Sequence, residues 1–74
     1  MNNKTETIYI YLLNEGTDCW RPVTAIQIKD NIYKITGIRN DDEEWEFITG
    51  DIVECAFKCF SDNTKALVAI RKVI

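Results

Sequence analysis

"WRPVTAIQI" (Trp20–Ile28) carries its apolar residues in two phases. Side chains alternate along a strand, so Val23 and Ala25 share one face while Ile26 and Ile28 share the other. A bulge or sharp bend near Ala25 returns both pairs to one core. Pro22 cannot donate to a ladder and is placed at a strand start or an edge. A bent, two-phase strand of this kind belongs to a closed barrel rather than a flat sheet.

The flanking sequence repeats the pattern of short β-rich runs separated by turn residues. Upstream, "TIYIYLL" (Thr7–Leu13) is apolar on both faces and reads as a central or doubly covered strand. It ends at "NEGTD", where Gly16 can take φ > 0 and Asn14 and Asp18 can bond the backbone locally. Downstream, "KDNI" (Lys29–Ile32) is a tight hairpin, since Asp30 and Asn31 tolerate left-handed backbone. Ile32–Ile38 then points Tyr33 and Ile35 to one side, with Lys34 and Thr36 on the other. In Glu44–Ile48, Trp45 and Phe47 share the inner face and Glu44 and Glu46 the outer. "ITGD" reverses the chain at Gly50. Asp51–Phe60 places Val53, Cys55, Phe57 and Cys59 inward, with Glu54 and Lys58 outward. After the turn "SDNT", Lys65–Val73 places Ala66, Val68 and Ile70 inward, with Lys65 and Arg71 outward.

No stretch keeps a helical period over ten or more residues. Five or six short strands in 74 residues can close only one small core, and a flat sheet would leave two open edges. The expected fold is all-β: a small SH3-like barrel of five or six antiparallel strands, with residues 1–6 a disordered N-terminus and 7–74 a single domain.

Composition narrows function more by exclusion than by assignment. No apolar run approaches the ~20 residues that span a bilayer. The N-terminus MNNKTET lacks the basic and apolar segments of a signal peptide, so the protein is expected to be cytoplasmic and off the membrane. Three cysteines make a poor disulfide framework. Cys55 and Cys59, four apart on one strand, would stand roughly 13 Å apart. With no His and no C-x-x-C pair, a zinc site is not expected, and the thiols read as small buried hydrophobes.

The net charge of −3 conceals an asymmetry: residues 41–54 carry seven acids and no base. Catalysis is not expected. There is no His for acid–base work and no glycine-rich phosphate loop. No Ser or Cys has an identifiable base, and Glu44 and Glu46 stand side by side rather than flanking a cleft. "NDDEE" (Asn40–Glu44) has oxygens for calcium but not the Gly of a calcium loop, and no cofactor is implied.

By "YLLNEGTDCWRPV" (Tyr11–Val23) and "EEWEF" (Glu43–Phe47) the chain resembles short uncharacterised bacterial proteins that carry both segments, over roughly Ile8 to Glu54. More loosely, Trp20–Arg21, Tyr33 and "FITGDIV" (Phe47–Val53) are similar in spacing to Tudor and other SH3-like barrels. That likeness implies recognition of peptides, methylated side chains or nucleic acid by rim aromatics. The aromatic cage is incomplete here, and the DYG-type turn is missing.

Two kinds of function remain. The first is a protein-interaction module, with an immunity or antitoxin-type inhibitor of a basic partner as one concrete form. Its contact residues are expected to be Trp20, Arg21, Asp41, Asp42, Glu43, Glu44 and Glu46. In this reading Trp45 sits in the core, Trp20 at the surface, and Arg21 pairs with Glu44 or Glu46. The alternative is a nucleic-acid-binding barrel using Lys29, Lys34, Arg39, Arg71 and Lys72, with Tyr9, Tyr11 or Trp20 as stacking groups.

Overall fold

The computed structural model describes residues 5–73. Over them every regular element is a strand: β1 Thr5–Leu13, β2 Cys19–Lys29, β3 Ile32–Ile35, β4 Glu44–Trp45, β5 Ile52–Cys59 and β6 Lys65–Lys72. The hydrogen-bonded order is β2-β3-β5-β6-β1-β4, and β2 also pairs with β1. Five strands thus close partly into a ring, with β4 laid on β1, which makes the chain a small β-barrel. All pairings are antiparallel except β1 with β6, which is parallel and made at one residue pair, Tyr9↔Val68. Among the described residues no helix is long and apolar enough to cross a membrane.

The core follows the alternation of β1 to β4. Ile8, Ile10 and Leu12 of β1 face Val23 and Ala25 of β2, Tyr33 and Ile35 of β3, and Trp45 and Phe47 beyond. Val53, Cys55 and Ala69 complete it. The turns form where their residues allow. Asn14, Asp30 and Asn63 take positive φ, as do Gly16 and Gly50 at 80° and 95°.

Several expectations change. The proposed disordered segment 1–6 is corrected at its end: Thr5 and Glu6 belong to β1 and pair with Ile26 and Ala25. Its residues 1–4 lie outside the described residues, as does Ile74. The bend near Ala25 is replaced by a register shift between Gln27 and Lys29. Ala25 and Ile26 are where β2 is paired on both edges, to β1 and β3. Ile28 therefore does not return to the core and stays 50% exposed. β3 and β4 are shorter than the runs Ile32–Ile38 and Glu44–Ile48, although the inward sides are as read.

β5 and β6 depart furthest. β3 pairs with β5 only from Ile52 to Glu54, so the distal half of the β5–β6 hairpin extends past the barrel wall. Phe57 keeps the phase of Val53 and Cys55 but meets little, at 71% exposed, and Cys59 is exposed too. On β6 Val68 is buried as read, but Ala69 and the half-buried Leu67 pack with the main core cluster, while Ala66 is half-buried and Ile70 exposed. Cys55 pairs with Ala69 while Glu54 pairs with Arg71, so Ile70 is the extra residue of a bulge and turns outward. Val68 is buried outside the main core cluster, beside Tyr9.

Candidate functional site

The acidic segment begins as a tight turn. Glu43 N–H donates to the Asn40 carbonyl over 3.2 Å, and Arg39 Nη1 donates to the carbonyls of Asn40 and Glu43. Arg39 therefore holds the turn by its backbone oxygens, leaving the side chains of Asp41 and Asp42 exposed to solvent.

Glu43 is the exception among these acids. Its carboxylate lies 3.2 and 3.1 Å from Arg21 Nε and also pairs with Arg21 Nη2. On the other side it accepts the indole N–H of Trp45 at 3.0 Å. Trp45 is buried at 6% exposure, so its polar edge needs such a partner. The Arg21 guanidinium first, and the Trp45 indole second, hold the Glu43 carboxyl below its ordinary range, while Glu43 raises Arg21 in return. Arg21 thus pairs with Glu43, and not with Glu44 or Glu46. Glu44 instead accepts from Asn14 Nδ2. Glu46 is exposed, its backbone N–H bound to the Tyr11 carbonyl at 2.9 Å.

Trp20 follows Cys19 on β2 and, by alternation, faces away from Arg21. It packs edge-on against its cross-strand partner Tyr11 at 5.2 Å and against Phe60 at 5.9 Å; Tyr9 lies 6.0 Å from Phe60. Phe60 is brought there by the β5–β6 turn, which is closed by Phe60 N–H to the Thr64 carbonyl and by Thr64 to Asp62. Those Thr64 bonds hold the Asp62 carboxyl low. Lys58 Nζ stands 5.9 Å from the Trp20 ring and 6.0 Å from that of Phe60. Tyr11 donates its hydroxyl to Asp18 at 2.9 Å, which raises the phenol.

The seven expected contact residues therefore do not form one patch. Arg21, Glu43 and Trp45 are a structural clasp at one end of the barrel. Asp41, Asp42, Glu44 and Glu46 are exposed on the segment that carries Glu43, and Trp20 belongs to an aromatic cluster with Tyr9, Tyr11 and Phe60. Sequence reasoning named Tyr9, Tyr11 and Trp20 as stacking groups of the alternative reading but missed Phe60, because a loop residue far along the chain meets those strand residues.

The bases of the alternative reading are partly engaged. Arg39 clasps the turn, and Lys72 lies 3.6 Å from Asp51. Arg71 Nε lies 2.5 Å from Glu54 Oε1, an ionic contact without hydrogen-bond alignment. Among the described residues no group of three or more His, Cys, Asp or Glu is placed to hold a metal ion. No family model, no curated protein and no solved structure matches the chain.

Proposed function

We propose that the chain is a non-catalytic protein-interaction module that meets a basic partner through its acidic rim. The supporting observation is the exposure of Asp41, Asp42, Glu44 and Glu46 along one segment, the 40–43 turn with β4 and the residue after it, where Arg39 is held by backbone carbonyls and Arg21 of β2 by Glu43. These four carboxylates outnumber the one nearby base that no carboxylate engages, Arg39, and a net acidic surface of this kind speeds encounter with a basic patch. One concrete form of such a module is an immunity or antitoxin-type inhibitor seated in the basic cleft of a nucleic-acid-degrading toxin. The alternative, a nucleic-acid-binding barrel, has weaker support, since Arg71 and Lys72 already lie on carboxylates.

Parallel capture from the native host tests the reading, with the wild-type chain and a D41N/D42N/E44Q/E46Q variant as baits. A basic protein retained by the first and released by the second is the expected result. Retention of the same proteins by both baits would remove the rim from the account. Single-stranded RNA bound with a steep salt dependence would favour the alternative.

A further inference from the structure

Leu13 and Ile48 are large apolar residues left 39% and 51% exposed. Apolar side chains scattered singly over a surface are ordinary, but these two line one groove of about 200 Å³, together with Arg39, Glu44 and the buried Trp45. Both walls are fixed by the backbone. Leu13 ends β1 and pairs with Glu44 of β4. Ile48 opens the turn at Gly50: its N–H donates to an Asp51 carboxylate oxygen at 3.0 Å, and Asp51 N–H donates back to the Ile48 carbonyl at 3.0 Å. The groove is therefore built before any partner arrives.

Size and charge decide the occupant. Small-molecule sites run from about 300 Å³ upward, so this groove has room for a single side chain. Its lining is apolar at Leu13, Trp45 and Ile48. Glu44 stands on the wall, Glu46 follows on the same side of the strand, and Asp41 and Asp42 are exposed on the turn leading into β4. The base that lines the groove, Arg39, has its guanidinium on the carbonyls of Asn40 and Glu43. Four carboxylates against that base disfavour a phosphate chain and favour cations.

We propose that the groove between Leu13 and Ile48 receives one apolar side chain of a protein partner, flanked by Lys or Arg residues that lie against the acidic segment 41–46. An apolar anchor in a preformed pocket, bordered by charge, divides the work of binding. The charges bring the partner in, and the anchor slows its departure. The basic flank rests on the function proposed above; the apolar anchor rests on the groove itself.

Two capped peptides of equal charge, Lys-Lys-Leu-Lys-Lys and Lys-Lys-Ser-Lys-Lys, titrated into the full chain at low salt and followed by NMR, make the test. Both should shift the amides of residues 41–46. Only the leucine peptide should shift the methyls of Leu13 and Ile48, and it should bind about tenfold more tightly, the effect of burying one aliphatic side chain. Leu13→Ser/Ile48→Ser should erase that difference; if this variant does not fold, the methyl shifts of the wild-type chain decide. Equal affinities with unmoved methyls would overturn the groove and leave the acidic surface standing. A leucine peptide with Ser in place of every Lys, bound as tightly at the same methyls, would uphold the anchor and overturn the basic flank. If no peptide shifts any of these signals, the groove and the function proposed above both fall. Methyl shifts that grow with chain concentration and vanish in Phe57→Ser would seat a second copy there, through its exposed Phe57, and overturn the foreign partner. Single-stranded RNA that moves the same methyls would overturn it too.

Discussion

The indole N–H of Trp45 donates to the carboxylate of Glu43, two residues earlier in the chain, over 3.0 Å. The same carboxylate receives Arg21 from β2. One acid of the segment thereby satisfies the polar edge of a buried Trp and ties the acidic turn to the barrel. Function assigned to the acids must exclude this one, whose removal acts on the fold first.

Stability should separate neighbouring residues of one short segment. Trp45→Ala is expected to cost about 3–5 kcal/mol, a large share of the stability of so small a domain. Glu46→Gln should change it by no more than about 0.5 kcal/mol, whereas Glu43→Gln should visibly lower the urea midpoint. Equal midpoints for the two glutamate variants would mean that the indole has another acceptor.

The acid limb of stability should carry the mark of Glu43. Its carboxyl is held below the ordinary glutamate value in the folded chain, so the unfolded chain binds the proton first as pH falls. The stabilisation is complete above the ordinary value and is lost as pH drops through it toward the lower folded one. Urea midpoints followed by Trp fluorescence should fall across that window in the wild type and less steeply in Glu43→Gln. Parallel curves would sink the assignment.

Thiol labelling should proceed in the order Cys59, Cys19, Cys55. Cys59 is exposed, Cys19 half-buried, and burial followed by the nearby Glu54 charge pushes the Cys55 thiol up to about 12. Only the thiolate reacts readily, so Cys55 should label only on unfolding. Rapid native labelling of Cys55 would show β5 in the wrong phase.

Phe57→Ser should leave stability within about 0.5 kcal/mol of wild type, because the ring has little to lose. Ile35→Ala, fully buried, should cost about 2–5 kcal/mol. A large loss at Phe57, measured by the same denaturation, would mean that the hairpin folds back over the barrel.

Gly37→Ala tests a close approach of backbones. A Cβ there would meet Thr24 N and the Val23 Cβ at 3.2 Å each, while Gly37 N–H bonds the Thr24 carbonyl at 3.0 Å. Backbone held on both sides cannot give way cheaply, so a loss of about 1–3 kcal/mol is expected. An unchanged thermal midpoint would contradict the packing.

Local rules accounted for a good part of this. Trp45 and Phe47 point in and Glu44 and Glu46 point out because alternation is a property of the chain itself. The reversals at Asp30 and Gly50 follow equally from which residues tolerate positive φ. Both inferences need only neighbours in sequence.

The rest depended on partners far away. Alternation told which way Phe57 faces but not whether a strand stands opposite, and β3 ends before it can. β6 is apolar in both phases, so a one-residue bulge at Ile70, set by pairing with β5, decided which phase faces the core. Several carboxylates lay within sequence reach of Arg21, and the docking of the 40–43 turn on β2 selected Glu43. The ring closes through β1 and β6, strands near opposite ends of the chain that meet in parallel at Tyr9 and Val68, a contact no local rule in either strand specifies. Periodicity along a chain fixes the direction of a side chain, whereas the neighbour it meets is fixed by the closure of the whole ring.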